Sequence, residues 1–433
     1  MDRLISQVSG PGGVSASGLN EPEAQGGPTR VLLALFIVAL ALRPQILAIG
    51  PLLPAIRGDL GISHGVAGLL GTIPVLCMGI FAPLGAVLAA STGSRLAAAL
   101  CVLTIAGSGL LRAALPGTPA LLITTVGIGV GMGVIGPILP AVVRRRAPGH
   151  PAAGTGAYVA GLIVGGTVAA AVAVQLVAGF GSWRASLAII SAAALVSLAG
   201  WWLLLPRDPG ERRAVPTWPS LPWRRRLGWH LGLAFAFQSM LFYGSISWIA
   251  AVYVERGWTP VQAATLVAVL NGSGIVTGLS IPLWADRFGT RRRQLAASAV
   301  LAIAGILAIT LGTTATPESA VALGAAIALG VGMGAFFPLV LTLPVDVGGS
   351  ASDVASLSAL MLLVGYALSS ISPVLLGIVR DATGNFQVSL WLLVVVAGAM
   401  LPLSLTLSER RLRRAEVGGR GSAVTAPDDR MSA

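Results

Sequence analysis

Arg43 is the residue whose type and position most directly suggest chemistry. It lies halfway along the apolar run 31–55, in the stretch ALALRPQILAIGPLLPAI, and Pro44 follows it. If this run spans a membrane, an arginine at its centre costs about 2.5–3.5 kcal/mol and is expected to face a polar cavity and to serve a function. Its guanidinium group presents several N–H donors in one plane, which suits a small planar anion or a nitro group. We predict that Arg43 anchors a substrate; the alternative is pairing with a carbonyl in the protein interior.

Other polar side chains lie inside apolar runs and could complete a site around Arg43. Each has a structural alternative, because Tyr and Trp often lie at membrane interfaces and Ser often bonds to its own helix. The further predicted substrate-binding residues are Gln45, Gln238, Tyr243, Trp248, Asn271 and Tyr366. The strongest of these are Gln238, Tyr243 and Asn271, since they lie well inside their runs.

The sequence contains no spacing of residues that predicts a catalytic site or a metal site. All 16 acidic residues fall in tails, loops or the ends of apolar runs, and the three histidines lie near loops or run ends. No nucleophile, base and orienting group lie at a similar depth in the apolar runs, as a catalytic site would require. Cys77 and Cys101 are not spaced like metal ligands. We predict no enzyme, no metal and no cofactor. Proton coupling through a membrane carboxylate is also disfavoured.

The elements that must position these side chains are apolar and long. Hydrophobic residues make up 55% of the 433 residues and charged residues 10%, against about 25% charged in soluble domains. Most runs are long enough to cross a hydrocarbon core of about 30 Å as helices. This predicts an all-α polytopic membrane protein with twelve spans, at about 31–55, 65–90, 96–115, 119–143, 152–179, 184–205, 228–254, 261–285, 294–314, 318–344, 353–379 and 386–407.

The polar segments and the arginines predict domains and orientation. We expect disordered cytoplasmic tails at 1–29 and 409–433 and a cytoplasmic linker at 206–227, with six-helix bundles at 30–205 and 228–408. All 28 basic residues are arginine: 22 lie on the side of the termini, and the other side has Arg57, Arg112, Arg184, Arg256 and Arg380. Positive residues collect on the cytoplasmic face, so both termini are predicted to be cytoplasmic in the cell inner (cytoplasmic) membrane. The arginine triplets indicate anionic-lipid contact, not nucleic acid.

The motif GVGMG occurs twice, at 129–133 and 330–334, and each copy is followed by a proline, Pro137 and Pro338. Aligning the copies also matches Ser186 with Ser389 and Gly61 with Gly257. The repeat predicts two parallel six-helix halves, the architecture of major facilitator transporters, with substrate between the halves. The glycines are expected to let helices approach closely; a hinge is the alternative. A phosphate loop would need a strand before it.

Longer stretches resemble the cyanate and 2-nitroimidazole transporter branch of the major facilitator superfamily, over about 31–407. The stretches are LRPQILAIGPLLPAIRGDLGIS, GLLGTIPVLCMGIFAPLG, ILPAVVRRRAP, QSMLFYGSISWIAAVYVERG, FFPLVLTL and LSALMLLVGYALSSISPVLLGIVRDATG. The resemblance implies twelve helices, a central cavity, alternating access and a small solute such as cyanate or a nitroimidazole. It matches Arg43 and Pro44 to the family's first-span pair, and Tyr243 and Trp248 to its span-seven aromatics.

The superfamily's signature between the second and third spans of each half is present in unequal form. WADRFGTRRR in the second half retains Asp286, Arg287, Gly289 and Arg291; AASTGSR in the first retains Gly93 and Arg95 but has Ala90 in place of the aspartate. The resemblance implies that these residues form a lopsided conformational gate. VIGPILP in span four and Leu362 stand where the family resemblance leads us to expect asparagine and glutamine, which indicates a less polar cavity.

These observations favour a monomeric secondary transporter for a small anionic or nitro-aromatic solute. Two alternatives stay open. One is efflux of an amphipathic metabolite or drug, although GTGAYVAGLIVGGTVAA in span five lacks the glycine-proline pair that resembles the superfamily's antiporter motif. The other is a non-transporting membrane receptor or scaffold, which is expected to carry a large added signalling domain.

Overall fold

The computed structural model describes residues 28–205, 221–288, 291–312, 320–348 and 350–406. All regular secondary structure within these ranges is helical. The helices are α1 (Pro28–Leu40), α2 (Pro44–Leu47), α3 (Ile49–Leu60), α4 (His64–Thr92), α5 (Ser94–Ala114), α6 (Thr118–Ile135), α7 (Ile138–Arg146), α8 (Pro151–Phe180), α9 (Trp183–Leu204), α10 (Arg226–Glu255), α11 (Pro260–Phe288), α12 (Arg291–Leu311), α13 (Ala320–Val347), α14 (Ala351–Ser369), α15 (Ile371–Thr383) and α16 (Gln387–Thr406).

Twelve helical segments of the described chain are long and apolar enough to cross a membrane, and each overlaps one of the twelve predicted runs. The first span combines α1 and α2 and is followed directly by α3, the fourth combines α6 and α7, and the eleventh combines α14 and α15. The predicted fold class is therefore confirmed. Burying every backbone polar group within helices is one of the two ways in which a chain can cross lipid.

Helices α1 to α9 form one half of the molecule, and α10 to α16 form the other. Each half uses the same packing: α4 and α5 flank α6 as α11 and α12 flank α13, while α1 packs on α8 as α10 packs on α14. We call the end where α1 begins and α16 ends the proximal end, and the opposite end the distal end. Side chains that face the other half are therefore candidates for a central site.

Both copies of GVGMG pack against two neighbouring helices. The first and third glycines of each copy face α4 or α11, and the middle glycine faces α5 or α12. A Cβ added to Gly131 would lie 2.8 Å from the carbonyl oxygen of Cys101, and one added to Gly332 would lie 2.7 Å from that of Ser298. These distances leave no room for a side chain, so the motif brings helices together, as glycines do in membrane proteins.

A serine in the last span of each half makes the same hydrogen bond. The hydroxyl of Ser186 donates to the carbonyl oxygen of Ala173 at 2.8 Å, and that of Ser389 donates to the carbonyl oxygen of Leu376 at 2.9 Å. The spacing is thirteen residues in both cases. The sequence repeat aligned these two serines, and in the structure each one donates to the equivalent carbonyl oxygen of its own half.

The first span of each half differs in continuity. Span seven is a single helix, α10, of 30 residues, whereas the first span breaks between Leu40 and Pro44 and continues in a four-residue helix, α2. Proline has no backbone N–H and its ring clashes with the preceding turn, so a break here is expected. The apolar run predicted over 31–55 is therefore several short helices, and the last of them, α3, ends at Leu60.

Candidate solute-binding site

Arg43 lies at the break in the first span, where this span faces the second half. Its side chain is half-buried, and its guanidinium carbon is 5.2 Å from the centre of the Phe242 ring of α10. A cation over an aromatic face is stabilised by the ring quadrupole. Among the described residues, no carboxylate pairs with Arg43. Within the described part of the chain, the Arg43 guanidinium therefore has an aromatic ring beside it and no carboxylate counter-charge.

Three tyrosines surround the same space. Tyr243 of α10 and Tyr366 of α14 both lie within electrostatic range of Arg43, and Tyr366 is also within range of Tyr158 of α8. These are three of the four tyrosines of the chain. The hydroxyl of Tyr243 also lies 3.9 Å from the sulfur of Met78 in α4. Tyrosines from both halves therefore lie in the region of Arg43, with Tyr158 connected to it through Tyr366.

Aromatic rings pack against one another on the second half near Arg43, and Phe235 among them is fully buried. Phe235 stands edge-on to Tyr366 with ring centres 5.0 Å apart and is 5.8 Å from Phe337, while Phe242 is edge-on to Tyr243 at 5.2 Å. Such arrays prefer planar, polarisable partners. A cation, hydroxyl donors and ring faces together can hold a small planar solute with an anionic or nitro group.

Gln45 and Gln238 are both buried and their amides already have partners. Gln45 is 1% exposed; its Nε2 donates to Ser191 Oγ at 3.0 Å, and its Oε1 accepts from Arg112 at 2.7 Å. Both ends of the Gln45 amide are thus used inside the first half. Gln238 is 3% exposed, and its Oε1 accepts a bond from Ser239 at 3.1 Å.

Asn271 and Trp248 connect the two halves. Asn271 in α11 donates to Thr167 Oγ1 in α8 at 2.6 Å. Trp248 donates its indole N–H to the carbonyl oxygen of Pro373 at 2.8 Å, within the second half, and its ring lies 5.7 Å from that of His64 in the first. Trp248 borders a separate distal cavity of about 300 Å³. The structure therefore does not bring Trp248 to the tyrosines around Arg43.

The predicted gate residues that can be described lie at the proximal end. Gly93 has a φ of 86° where α4 turns into α5, and Arg95 stacks on Trp202 at 4.2 Å and donates to its carbonyl oxygen. Arg291 pairs with Asp346 and donates to Thr342 Oγ1 at 2.9 Å. The side chains of Asp286 and Arg287, together with Gly289, lie outside the described residues.

Arg112 was counted from the sequence among the arginines of the far side; the structure places it in the last turn of α5, near the distal end, but inside the first half and not at its surface. Its side chain is 0% exposed, and it donates to Gln45. The sequence did contain a signal, because Arg112 falls inside the predicted run 96–115. Tyr158 and Phe242 were also missed as site residues: Tyr158 is the only aromatic residue of its glycine-rich run until Phe180.

Twelve apolar spans in two similar halves, with a charged and aromatic site between them, define a membrane transporter. A family model described as the Major Facilitator Superfamily matches residues 31–373, and the chain belongs to this family.

Individual relatives agree with this assignment. The chain is 30% identical over 356 residues to the cyanate transport protein CynX of Escherichia coli, covering 82% of this chain and 91% of that one. It is 29% identical over 372 residues to the 2-nitroimidazole transporter of the same species, covering 84% and 92%. The solved structure of the nucleoside transporter NupG superimposes with a TM-score of 0.72 at 14% identity, over 88% and 99% of the chains. The last comparison supports the fold alone.

Proposed function

We propose that this protein carries a small anionic or nitro-aromatic solute, cyanate-like or nitroimidazole-like, across the cytoplasmic membrane by alternating access. Arg43 is the substrate anchor in this proposal. The observation that carries it is the half-buried Arg43 guanidinium, which has no carboxylate partner among the described residues and faces the second half. An uncompensated cation in a site of low dielectric favours a ligand that supplies negative charge. The likeness to the cyanate and 2-nitroimidazole transporters supports the same class.

The surrounding groups give the remaining roles in this proposal. Tyr243, Tyr366 and Tyr158 supply hydroxyl donors for solute oxygens, and the Phe242 face limits how far the Arg43 side chain moves. Gln238 and Asn271 remain candidates for contacts made in another conformation. The gate formed by Arg95, Arg291 and their neighbours would control the proximal end. In this proposal the protein acts as a monomer, and the proximal end with both termini faces the cytoplasm and anionic lipids.

Transport by purified protein in liposomes tests the anchor. Radiolabelled cyanate and 2-nitroimidazole are offered to wild type, Arg43→Ala and Arg43→Lys. Arg256→Ala is the matched control, because Arg256 lies 5.2 Å from the Tyr253 ring, the same distance as Arg43 from Phe242, but at the distal end. A hydrogen bond to a charged group contributes about 1.5–3 kcal/mol. We therefore expect KM to rise about 10- to 100-fold in Arg43→Ala, less in Arg43→Lys, and little in Arg256→Ala.

Two results would reject parts of the proposal. Failure of wild type to transport either solute would reject the substrate class. Equal KM in wild type and Arg43→Ala would reject the anchor and favour the aromatic rings near Arg43 as the main recognition surface. Efflux of an amphipathic aromatic compound is the second candidate, since Phe235, Phe242 and Phe337 suit such a ligand. This second candidate predicts that the protein exchanges aromatic cations across the liposome membrane and that the exchange persists in Arg43→Ala.

A further inference from the structure

Arg112 is a buried cation whose hydrogen bonds within the described residues all go to one residue, Gln45. It lies near the distal end of α5 with 0% of its side chain exposed. Its Nη2 donates to Gln45 Oε1 at 2.7 Å, and both Nη atoms are 3.5 Å from the Gln45 carbonyl oxygen. No carboxylate in the described part of the chain pairs with it. Gln45 therefore supplies the dipoles that this buried charge contacts, while the Arg112 Nε has no hydrogen-bond partner among the residues described.

The bond to Arg112 is one part of a chain of hydrogen bonds that crosses the first half. Gln45 Nε2 donates to Ser191 Oγ at 3.0 Å, and Ser191 donates to the carbonyl oxygen of Leu187 at 2.6 Å. The network therefore ties α5 to α2 and α2 to α9. Such bonds strengthen one another in a medium of low dielectric, and breaking one leaves the next group unsatisfied. Gln45 is thus fixed from two sides.

Gln45 is two residues from Arg43, in the stretch where the helix is broken. Pro44 cannot donate a backbone hydrogen bond, and the chain re-enters a helix through the N–H groups of Ile46 and Leu47, which both bond to the carbonyl oxygen of Arg43 at 3.1 Å. The direction of this turn decides where the Arg43 side chain goes. Holding Gln45 against α5 and α9 therefore sets the direction of Arg43.

The second half provides an internal comparison. The sequence repeat places Gln45 on Leu241 and Ser191 on Val394. The equivalent contacts of Gly131 with Cys101 and of Gly332 with Ser298 place Arg112 on Ile309. All three counterparts are apolar. The proline is missing as well, since Met240 matches Pro44, and α10 continues through this region without a break. The polar trio and the broken helix occur together in one half, and both are absent from the described counterpart in the other.

We propose that Arg112 is a positioning residue: it holds the break of the first span through Gln45 and thereby directs Arg43 into the space between the halves. The placement of Arg43 stands on geometry alone, and only its effect on transport rests on the proposed function. The prediction is that removing the Arg112–Gln45 contact moves the Arg43 side chain away from the cavity while the rest of the cavity is retained.

A labelling experiment tests this without knowledge of the substrate. Arg43→Cys is introduced into purified full-length protein, and its reaction rate with a charged methanethiosulfonate reagent is measured. Both natural cysteines are buried, and the unsubstituted protein gives the background rate. Met78→Cys, on another helix of the same space, is the matched control. We expect Arg112→Leu and Gln45→Leu each to lower the rate at Arg43→Cys at least tenfold, with no change at Met78→Cys, and Arg112→Lys to restore part of it.

The double variant Arg112→Leu, Gln45→Leu covers the case in which a single change prevents folding. It reproduces the apolar arrangement of the second half, and replacing both partners avoids an unsatisfied buried group. A rate at Arg43→Cys within twofold of the parent, in either the single or the double variant, would overturn the proposal. An equal fall at Met78→Cys would also overturn it, because the effect would then be a general loss of the cavity. Altered labelling with no transport in wild type would leave the positioning role standing and reject the proposed function.

Discussion

The two ends of the molecule use their charged and small residues differently. At the distal end contacts cross between the halves: Asp381 of the second half accepts bonds from the backbone N–H groups of His64 and Gly65 at 3.1 and 2.8 Å and lies 2.6 Å from His64 Nδ1. At the proximal end, Arg291 pairs with Asp346 and Arg95 donates to the Trp202 carbonyl oxygen, and each of these two contacts lies within one half. The halves are therefore fastened together at the distal end.

Close contacts between helices of the two halves also lie near the distal end. A Cβ on Gly50 would lie 2.0 Å from the carbonyl oxygen of Ile246, and one on Gly68 would lie 2.5 Å from that of Pro373, each across the two halves near the distal end. Thr72 Oγ1 also donates to the carbonyl oxygen of Ser370 at 2.6 Å. Opening the distal end must break these contacts, so the structure represents a distally closed state. The proposed alternating access would require this closure to be reversible.

The largest effect is expected from Gly50→Ala. The added methyl meets a backbone oxygen that cannot rotate away, and overpacking typically costs about 1–3 kcal/mol. The distal closure should weaken by that amount, and Ser247→Cys, a reporter beside Gly71 at the contact between the halves, should label about 5- to 100-fold faster. Gly58→Ala on the same helix is the control, because its Cβ meets nothing within 4 Å. Equal labelling in the two variants would contradict a closure made by helix contact.

A smaller effect is expected from Asp381→Asn. The carboxylate caps the first N–H groups of α4 from the other half, and loss of a helix cap costs about 0.5–2 kcal/mol. The labelling rate at Ser247→Cys should rise about 2- to 30-fold. Asp353→Asn is the matched control, because it breaks a pair with Arg225 at the proximal end. If Asp353→Asn raised the rate as much as Asp381→Asn, the two ends would not differ in the way described.

The smallest effect is expected from Arg380→Gln. Arg380 donates to Glu255 Oε1 at 3.0 and 2.8 Å, but both residues belong to the second half and remain partly exposed. Exposed pairs contribute about 0–1 kcal/mol, and salt screens them. The rate at Ser247→Cys should change less than about fivefold, and the change should shrink in high salt. A large, salt-independent change would show that this pair joins the halves.

Much of the fold could be predicted because it depends on local properties. The length of each apolar run fixed the twelve spans, since a helix needs a definite number of residues to cross lipid. The aligned serines, Ser186 and Ser389, made equivalent bonds because they belong to equivalent helices. Arg43 was predicted as a site residue from its depth in the first span.

The tertiary structure decided which partner each polar group has. Arg112 lay inside a predicted run, yet its contact with Gln45 joins residues 67 positions apart. Gln45 was expected to face a substrate, whereas both ends of its amide bond within the first half, and Trp248 lies at the distal cavity instead of beside Tyr243. Hydropathy fixes the depth of a residue in a span; the direction of its side chain depends on how each helix rotates and packs against its neighbours. Span depth was therefore readable from the sequence alone, and the composition of the site was not.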